Sequence, residues 1–584
     1  MSPMSPMSPM SPLAATAPVW AAALVPEAAA ALVSAGISPR LAALLARRGV
    51  SDPEEARCFL HPAADQLFDP SLLAGMGEAV ARLSAAADRR EEVAVVGDYD
   101  VDGVTSTALL LAAFTACGIQ ARPILPHRLE EGYGFQPLHV ERARAAGCTL
   151  IVTADCGSSS LAAAEAALAH GIDVLVTDHH IPGCELPPGV LQINPRQAHC
   201  SYPFPDLAAV GLALKLSLAL LTARGKRIDL DALLRIACLG TIADLVPLRG
   251  ENRVIAALGL AALPRTRSEG LKALLKQAGM KPPYSAADVG FRVGPRINAA
   301  GRLSTPEQAL ELLLTRDARR AALLALELDT WNRQRQAEEL RVAAEATALA
   351  AALQPLPPIL VLYKEGWHKG VVGIAAGRLA RDFNRPALLL AVEGDVATGS
   401  GRSIPGIELH GFLSPWGERL ERFGGHSQAI GLSARLAHLP ALQAEWETAA
   451  AGWPAELLAR RYEYEIDVEP EEISLDLLRE LACLEPHGQG NSRPLVRTGP
   501  LTLVASPRLF GNGHLAARAR GVGGGRGGDG SPVELVGWGW QARATKLGGT
   551  FEVLGYLEKD DYTGGAMLRL VDSRPFVPSP VPIE

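Results

Sequence analysis

Four apolar runs that each break off into acids or histidines constrain this chain more than anything else in its sequence. They are Val93–Gly103 (VAVVGDYDVDG), Leu150–Gly157 (LIVTADCG), Asp173–His180 (DVLVTDHH) and Gly240–Leu248 (GTIADLVPL). In the first three, Val, Ile and Leu follow one another without polar alternation, the pattern of parallel strands covered on both faces. Helical stretches separate them, and Ala208 to Ala223, apolar on most sides, is expected to be buried. From Val93 to about Leu248 this alternation predicts an α/β domain built on a doubly wound parallel sheet. Such sheets bind ligands beyond the carboxyl ends of their strands. Asp98, Asp100, Asp155, Asp178, His179, His180 and Asp244 are therefore expected to meet in one cleft.

A single Asp after a strand is more often a turn or capping residue than a ligand. Four such ends in one domain, one of them Asp-His-His, turn the balance toward a metal site. Carboxylates and imidazoles without a thiolate cluster suit Mn²⁺ or Mg²⁺, and shared carboxylates suggest two ions. The three Asp of GDYDVDG are spaced like the start of a calcium loop, but the twelfth position from Asp98 is Leu109, where that loop needs Glu. Asp98 and Asp100 are the ligand choices. Asp102 precedes Gly103 and suits either a place at the catalytic centre or capping of the helix from Val104 onward. Of His179 and His180, one is expected to ligate and the other to face a phosphate oxygen or a leaving group. Asp178 then ligates weakly or fixes a histidine tautomer.

At 584 residues the chain exceeds one core, so three or four domains are expected. A net charge of −7 gives no overall nucleic-acid footprint, although carboxylates gathered at a metal site can mask a local basic groove. No run approaches 18 uninterrupted apolar residues, so no membrane span is expected. Residues 1–40 open with Met-Ser-Pro four times and read as a disordered, alanine-rich tail. The eight cysteines form no C-x-x-C pair and are expected to be reduced thiols, Cys156 acting as a small hydrophobe.

Residues 41–306 hold N-terminal helices and the sheet domain, 307–354 a connecting helix, and 355–455 a second, smaller α/β unit. In 456–575 about five strands (YEYEIDV, LTLVAS, VELVGWGW, FEVLGYLE, AMLRLVD) suit a small β-barrel of the nucleic-acid-binding type. Trp538 and Trp540 are placed to stack on bases, with core packing the stronger expectation. Gly521–Gly530 is expected to be a flexible loop, since no helix follows its G-x-G-x-x-G. Basic and polar loops occur at His127-Arg128, at Arg292, Arg296, Asn298 and Arg302, at Ser400, Arg402 and Ser403, and at His426. The turn Gly399–Ser403 combines backbone N–H groups, hydroxyls and a guanidinium, which suit a phosphate.

From about Ala42 to Val571 the chain resembles the RecJ family, bacterial single-strand-specific 5′→3′ DNA exonucleases of the DHH phosphoesterase superfamily. The residues that carry this include GDYDVDGVTST, HRLEEGYG, TADCG, TDHH, INPRQ, GTIADLVPL, FRVGPRINAAGRL, GWHKGVVGIAAGRL, GSGRSIPG, FGGH and EPHGQGNSRP. The resemblance implies a DHH catalytic domain, a connecting helix, a DHHA1 domain and a C-terminal OB fold. It implies metal ligands at Asp98, Asp100, Asp155, His179 and Asp244, with His180 facing the phosphate. It also implies a 5′-phosphate pocket at Arg128, Ser400 and Arg402, and nucleic-acid contacts at Arg296, Arg302 and His426. Ile430 stands where the family has a small residue, and the glycine-rich insertion lies in the OB fold.

The expected chemistry is hydrolysis of single-stranded DNA to 5′-mononucleotides by two Mn²⁺ or Mg²⁺ ions bridged by Asp155, with His180 or a water serving the leaving 3′-oxygen. The 5′-phosphate pocket fixes the register, and a cleft between the DHH and DHHA1 domains admits one strand. The resemblance further implies a cytoplasmic monomer working with a RecQ-type helicase and a single-strand-binding protein in recombination and repair. Three alternatives stand beside it. One is a DHH–DHHA1 phosphodiesterase of short oligoribonucleotides or cyclic dinucleotides, whose compact members lack the OB-like tail. Another is a manganese pyrophosphatase, which carries His where this chain has Ala94. The third is an inactive scaffold, against which the complete ligand set argues.

Overall fold

The computed structural model describes residues 18–128, 131–132, 134–183, 185–522 and 532–577. The Met-Ser-Pro repeats and most of the glycine-rich insertion lie outside the described residues. The chain divides into two compact units, one of 52–335 with 484–492, the other of 1–51, 336–483 and 493–584.

The first unit is built on a five-stranded sheet in the order Gln120–Ile124, Glu92–Gly97, Leu150–Ala154, Asp173–Thr177, Leu191–Ile193. Every pairing is parallel. Val93 to Val96 and Leu150 to Ala154 are buried throughout, as strands covered on both faces must be. Glu92–Gly97, the first of these five strands along the chain, lies inside the sheet, flanked by the second on one side and the third on the other. The chain reverses its direction of travel across the sheet at that point, and the crevice at such a switch point is where open α/β sheets take their ligands. Asp98 follows the first strand and Asp155 the third, so topology alone sets these two carboxylates at the mouth of the crevice.

Beneath it the helix Val101–Cys117 packs against Ala209–Ala223 and Leu230–Ala243. Helix Ala209–Ala223 carries Lys215, fully buried and paired with the equally buried Glu251. The Lys215 ammonium also donates to the Phe68 carbonyl. Glu251 accepts from the Phe68 N–H at 2.8 Å and the Tyr202 hydroxyl at 2.6 Å. Each charge thus has at least two hydrogen-bond partners, which is how a buried pair is tolerated.

In the second unit a five-stranded sheet runs in the order Arg422–His426, Ala429–Arg435, Val396–Arg402, Ala387–Glu393, Leu360–Glu365. Helix Lys369–Phe383 and the end of the 35-residue helix Ala318–Ala352 cover one face. That long helix spans roughly 53 Å at 1.5 Å per residue. Ile430 fills the space above Gly401, where a side chain would strike it at 2.7 Å, so the bulky residue is accommodated by the missing one opposite.

The C-terminal strands close into a five-stranded barrel: Val496–Leu503, Phe551–Lys559, Ala566–Pro575, Val533–Gly537 and His514–Gly521, with Leu501–Leu503 sealing against Ala519–Gly521. Two expectations need correcting. The expected strand YEYEIDV is not a barrel stave. Arg461–Tyr464 pairs in parallel with Val19–Ala22, and Ile466–Val468 only edges Val496–Thr498. The fifth stave is His514–Gly521, whose buried Leu515, Ala517 and Ala519 alternate with half-buried His514 and Ala516 and exposed Arg518 and Arg520, a period-two pattern hidden by weak strand formers. The tail, expected to be disordered through residue 40, forms a strand at Val19–Ala22 and helices at Ala28–Ser34 and Pro39–Arg47. Trp540 is buried in the barrel core, whereas Trp538 is part-exposed beside Phe510 and His514.

All described cysteines are free thiols, and Cys156 is buried with its Sγ 3.6 Å from the Val96 carbonyl. Among the described residues no helix is long and apolar enough to cross a membrane. Replacing Lys215 by Met strands the Glu251 carboxylate in the core. Urea unfolding at neutral pH is expected to show a loss of about 3–5 kcal/mol, and a loss below about 1 kcal/mol would show that water reaches Glu251.

Candidate metal centre

Asp98 leaves the first strand and turns at once into the helix Val101–Cys117. The turn is tight because Gly103 permits it: a side chain there would stand 2.6 Å from the Asp98 backbone. Asp100 is the N-cap of this helix, accepting from the Gly103 N–H at 3.1 Å. The capping role considered for Asp102 at this helix therefore belongs to Asp100. Asp102 caps a different helix, accepting from the N–H groups of Ala209 at 2.8 Å and Val210 at 2.9 Å. Its carboxylate also fits under helix Leu230–Ala243 because position 240 is glycine. Asp155 follows the third strand with a left-handed φ of 69° and donates its N–H to the Thr177 carbonyl. A non-glycine residue in that region costs on the order of 1–3 kcal/mol, the kind of strain that gathers at functional sites. Asp244 comes from the C-terminal end of helix Leu230–Ala243 rather than from a strand.

These elements bring the ligand candidates together. Donor atoms of Asp98, Asp100 and Asp155 lie within 4.8 Å of one another, as do those of Asp155, His179 and His180, and those of Asp102, His179 and Asp244. Asp155 belongs to two of the three groups, as a bridging carboxylate would. His179 Nε2 lies 3.3 Å from Asp155 Oδ1 and 3.7 Å from Asp244 Oδ2. This nitrogen is buried and makes no hydrogen bond among the described residues, and Asp98 Oδ1 is in the same condition. The Leu207 backbone lies against the His179 ring; with the ring proton on Nδ1, the Nε2 lone pair would face the carboxylate oxygens of Asp155 and Asp244. A cation among them turns that repulsion into ligation, so the donor set fits hard divalent ions.

The electrostatics agree. Burial, then repulsion from Asp100, pushes Asp98 well above the usual carboxylate range. Burial and the neighbouring Asp102, Asp100, Asp244 and Asp98 do the same to Asp155. Asp244 is raised well above that range by burial and by Asp102 and Asp100. Asp102 is pushed up to about 7 by burial and Asp100 despite its two backbone donors. Burial and the adjacent His180 pull His179 down to about 4, which keeps it a neutral ligand. His180 moves the other way. Burial opposes its charge, but the bond to Asp178 Oδ1 at 2.8 Å and the Asp178, Asp102 and Asp100 charges outweigh it. Burial would raise Asp178, but His180 and the Ser158 and His180 N–H groups hold it below its ordinary value. Asp178 thus orients His180, the second of the two roles open to it.

The residues around the centre divide. Arg128 lies over the Tyr99 ring at 4.7 Å, and its charge reaches Asp98. Arg302 is near enough to act on the Tyr99 hydroxyl. Arg296 is engaged with buried Asp329 at 2.8 Å and with the Arg292 carbonyl. In the second unit Ser400 and Arg402 converge over helix Lys369–Phe383, where a side chain at Gly373 would stand 3.1 Å from both Ser400 Oγ and Arg402 Nη2. Arg402 pairs in register with Ala429, which pairs with His426, so the arginine and this exposed histidine share one end of the sheet. The sequence assigned no role to Tyr99 or to Asn194. Asn194 donates to the His180 carbonyl and to Ser158 Oγ, both at 2.8 Å. The INPRQ motif was the available signal for Asn194.

Comparison with known proteins bears on the same residues. The model of the DHH family, N-terminal domain, matches residues 92–241, that of the DHHA1 domain 356–451, and that of the RecJ OB domain 464–571. The chain is 37% identical over 518 residues to the single-stranded-DNA-specific exonuclease RecJ of Escherichia coli, covering 84% of this chain and 88% of that one. It is 38% identical over 464 residues to the protein of that name from Bacillus subtilis, covering 79% of this chain and 58% of the relative. The chain therefore spans less than two thirds of the Bacillus protein. The crystal structure of RecJ from Thermus thermophilus in complex with Mn²⁺ matches with a TM-score of 0.78 and 31% identity, over 96% of this chain and 80% of that one. A structure of exonuclease RecJ bound to manganese matches with a TM-score of 0.58 and 37% identity, over 65% of this chain and 96% of that one.

The raised carboxyls set a direction for metal binding. In the metal-free protein their protonation contributes stability that is whole below the unfolded value of about 4. That contribution is lost as pH rises through about 7 for Asp102 and through the raised values of Asp98, Asp155 and Asp244. Mn²⁺ replaces those protons. The rise in Tm on adding MnCl2 to EDTA-treated protein is expected to be larger at about pH 8 than at about pH 5.5. An equal or smaller rise at the higher pH would place the cation elsewhere.

Proposed function

The chain belongs to the RecJ family of single-stranded-DNA-specific exonucleases, and on that premise we propose that it removes 5′-mononucleotides stepwise from the 5′ end of single-stranded DNA. The observation that carries this reading is the sharing of Asp155 between two donor groups at the sheet's switch point. Two such groups about one carboxylate suit two divalent ions, which Asp98, Asp100, Asp155 and His179 would hold, with Asp244 joining through the group it shares with His179. When bound, the ions supply a water activated at neutral pH and neutralise charge building on the scissile phosphate.

The chain's own residues do the rest. His179, kept neutral by burial, would offer its Nε2 to the ions. His180, whose protonated form Asp178 favours, donates to the phosphate or to the leaving 3′-oxygen. Asp102 ties the first-motif helix to helix Ala209–Ala223 and adds negative charge that favours cations. Arg128, steadied on Tyr99, takes phosphate oxygens beside the centre, and Arg302 adds a second cation there. Ser400 and Arg402, with His426 at the same sheet end, make a phosphate-binding group in the second unit. The barrel holds the strand through its arginines and the part-exposed Trp538.

A single-strand-specific enzyme needs duplex opened for it. We infer from this need a role in DNA recombination and repair in the cytoplasm, beside a RecQ-type helicase and a single-strand-binding protein.

The test uses a 5′-phosphorylated single strand and its blunt duplex, each 3′-labelled. Stepwise shortening of the single strand alone, abolished by EDTA and by Asp155→Ala, is the expected outcome. An intact long strand with cleavage only of di- to tetranucleotides would replace this reading. Asp178→Asn removes the group that keeps His180 charged. It is expected to lower kcat by about 10²–10⁴-fold and to move the alkaline limb of the pH profile to lower pH. An unmoved limb would assign the proton to another donor.

A further inference from the structure

A cavity of about 490 Å³ opens beside helix Glu269–Gln277, and it shares no residue with the metal centre. Leu275, Met280 and Tyr284 line it together with Lys272, Lys276 and Lys281. From Leu263 to Tyr284 the chain carries five cations (Arg265, Arg267, Lys272, Lys276, Lys281) against one carboxylate, Glu269, in a protein whose net charge is −7. Lys272 pairs with Glu269 at 2.8 Å, whereas Lys276 and Lys281 are exposed and face no carboxylate among the described residues. Two unpaired ammonium groups over an apolar, partly aromatic floor match the repeat of single-stranded nucleic acid, phosphate outside and ring inside. The volume falls within the roughly 300–1,000 Å³ of ligand pockets, enough for one base and its sugar.

The cavity is joined to the metal centre through a π-helical turn, Val289–Val293. Arg292 of this turn donates to the carbonyl of Gly279 on the cavity wall at 2.8 Å. Gly290 of the same turn faces Ile242, two residues before Asp244. Between them Phe291 is 66% exposed, and Leu245, next to Asp244, is 69% exposed with a left-handed φ of 62°. The π-turn that approaches Ile242 and the left-handed Leu245 beside Asp244 thus each present an exposed apolar side chain, Phe291 and Leu245, on segments linking the metal centre to the cavity.

We propose that the strand leaving the metal centre passes Leu245 and Phe291 and docks in this cavity, with phosphates on Lys276 and Lys281 and a base against Tyr284 and Met280. This rests on the exonuclease reading and adds a second contact, nucleotides away from the scissile bond. It predicts that long strands are held by residues that short ones never reach.

The full chain in Ca²⁺ would be titrated with 5′-phosphorylated thymidine oligonucleotides of about 3 and about 20 residues over a salt series. Lys276→Gln with Lys281→Gln is expected to weaken the long strand about tenfold and flatten its log Kd against log salt slope by about 1.4, at about 0.7 per phosphate contact on single strands. Tyr284→Ser is expected to weaken it without changing the slope. Neither change should alter binding or Mn²⁺-dependent hydrolysis of the short oligonucleotide. Wild-type affinity and slope in both variants would overturn the proposal, as would equal weakening of both lengths, or competition by polyglutamate but not by the long strand. Failure of the wild-type protein to shorten single strands would instead sink the exonuclease reading, since the binding series stands without cleavage.

Discussion

Five carboxylates crowd one end of a parallel sheet, and the first unit is organised around their repulsion. Asp98, Asp102 and Asp155 are almost completely buried, and each lies within a few ångströms of another acid in the three donor groups. Two like charges about 4 Å apart repel by roughly 4 kcal/mol at an effective dielectric near 20. No hydrophobic gain requires that arrangement. It persists because rigid strands and helix ends hold the groups and because cations reverse the sign of the interaction. Fold and function are thus coupled through one electrostatic fact: the site is a strained region of the apoprotein and a stabilised one of the loaded protein.

Within that frame, groups of the same chemical type are given different work by their neighbours. Asp100 and Asp102 stand two residues apart, yet one caps its own helix and the other caps a helix more than a hundred residues on. His179 and His180 are adjacent, yet burial favours the neutral form of one and Asp178 the charged form of the other. Such divergence of paired groups is how a site obtains a ligand and a proton donor from like side chains.

Groups of a kind that suits phosphate are spread along the chain: Arg128 and Arg302 beside the candidate metal centre, Ser400 and Arg402 over a helix glycine, and arginines on a barrel stave. Arg296 is a counterexample, because its guanidinium neutralises buried Asp329 instead. A loop arginine in a sequence signals a need for positive charge and does not reveal whether the partner is a substrate or an internal acid.

The sheet, its parallel strands and the ligand types were legible in the sequence. A strand buried on both faces needs an uninterrupted apolar run, and metal chemistry needs Asp and His where that run ends. Motifs local in the chain therefore pointed to Asp98, Asp100, Asp155, Asp178, His179, His180 and Asp244, and the donor atoms of all but Asp178 fall into the three groups. Tertiary structure alone decided what depends on residues distant in sequence. It assigned Asp102 to helix Ala209–Ala223, brought Asp244 in on a helix end, set Arg128 on Tyr99, paired Val19–Ala22 with Arg461–Tyr464, and made His514–Gly521 the fifth barrel stave. Capping, ion pairing and strand register are each settled by which partner arrives in space, and a one-dimensional pattern carries the demand for a partner but not its identity.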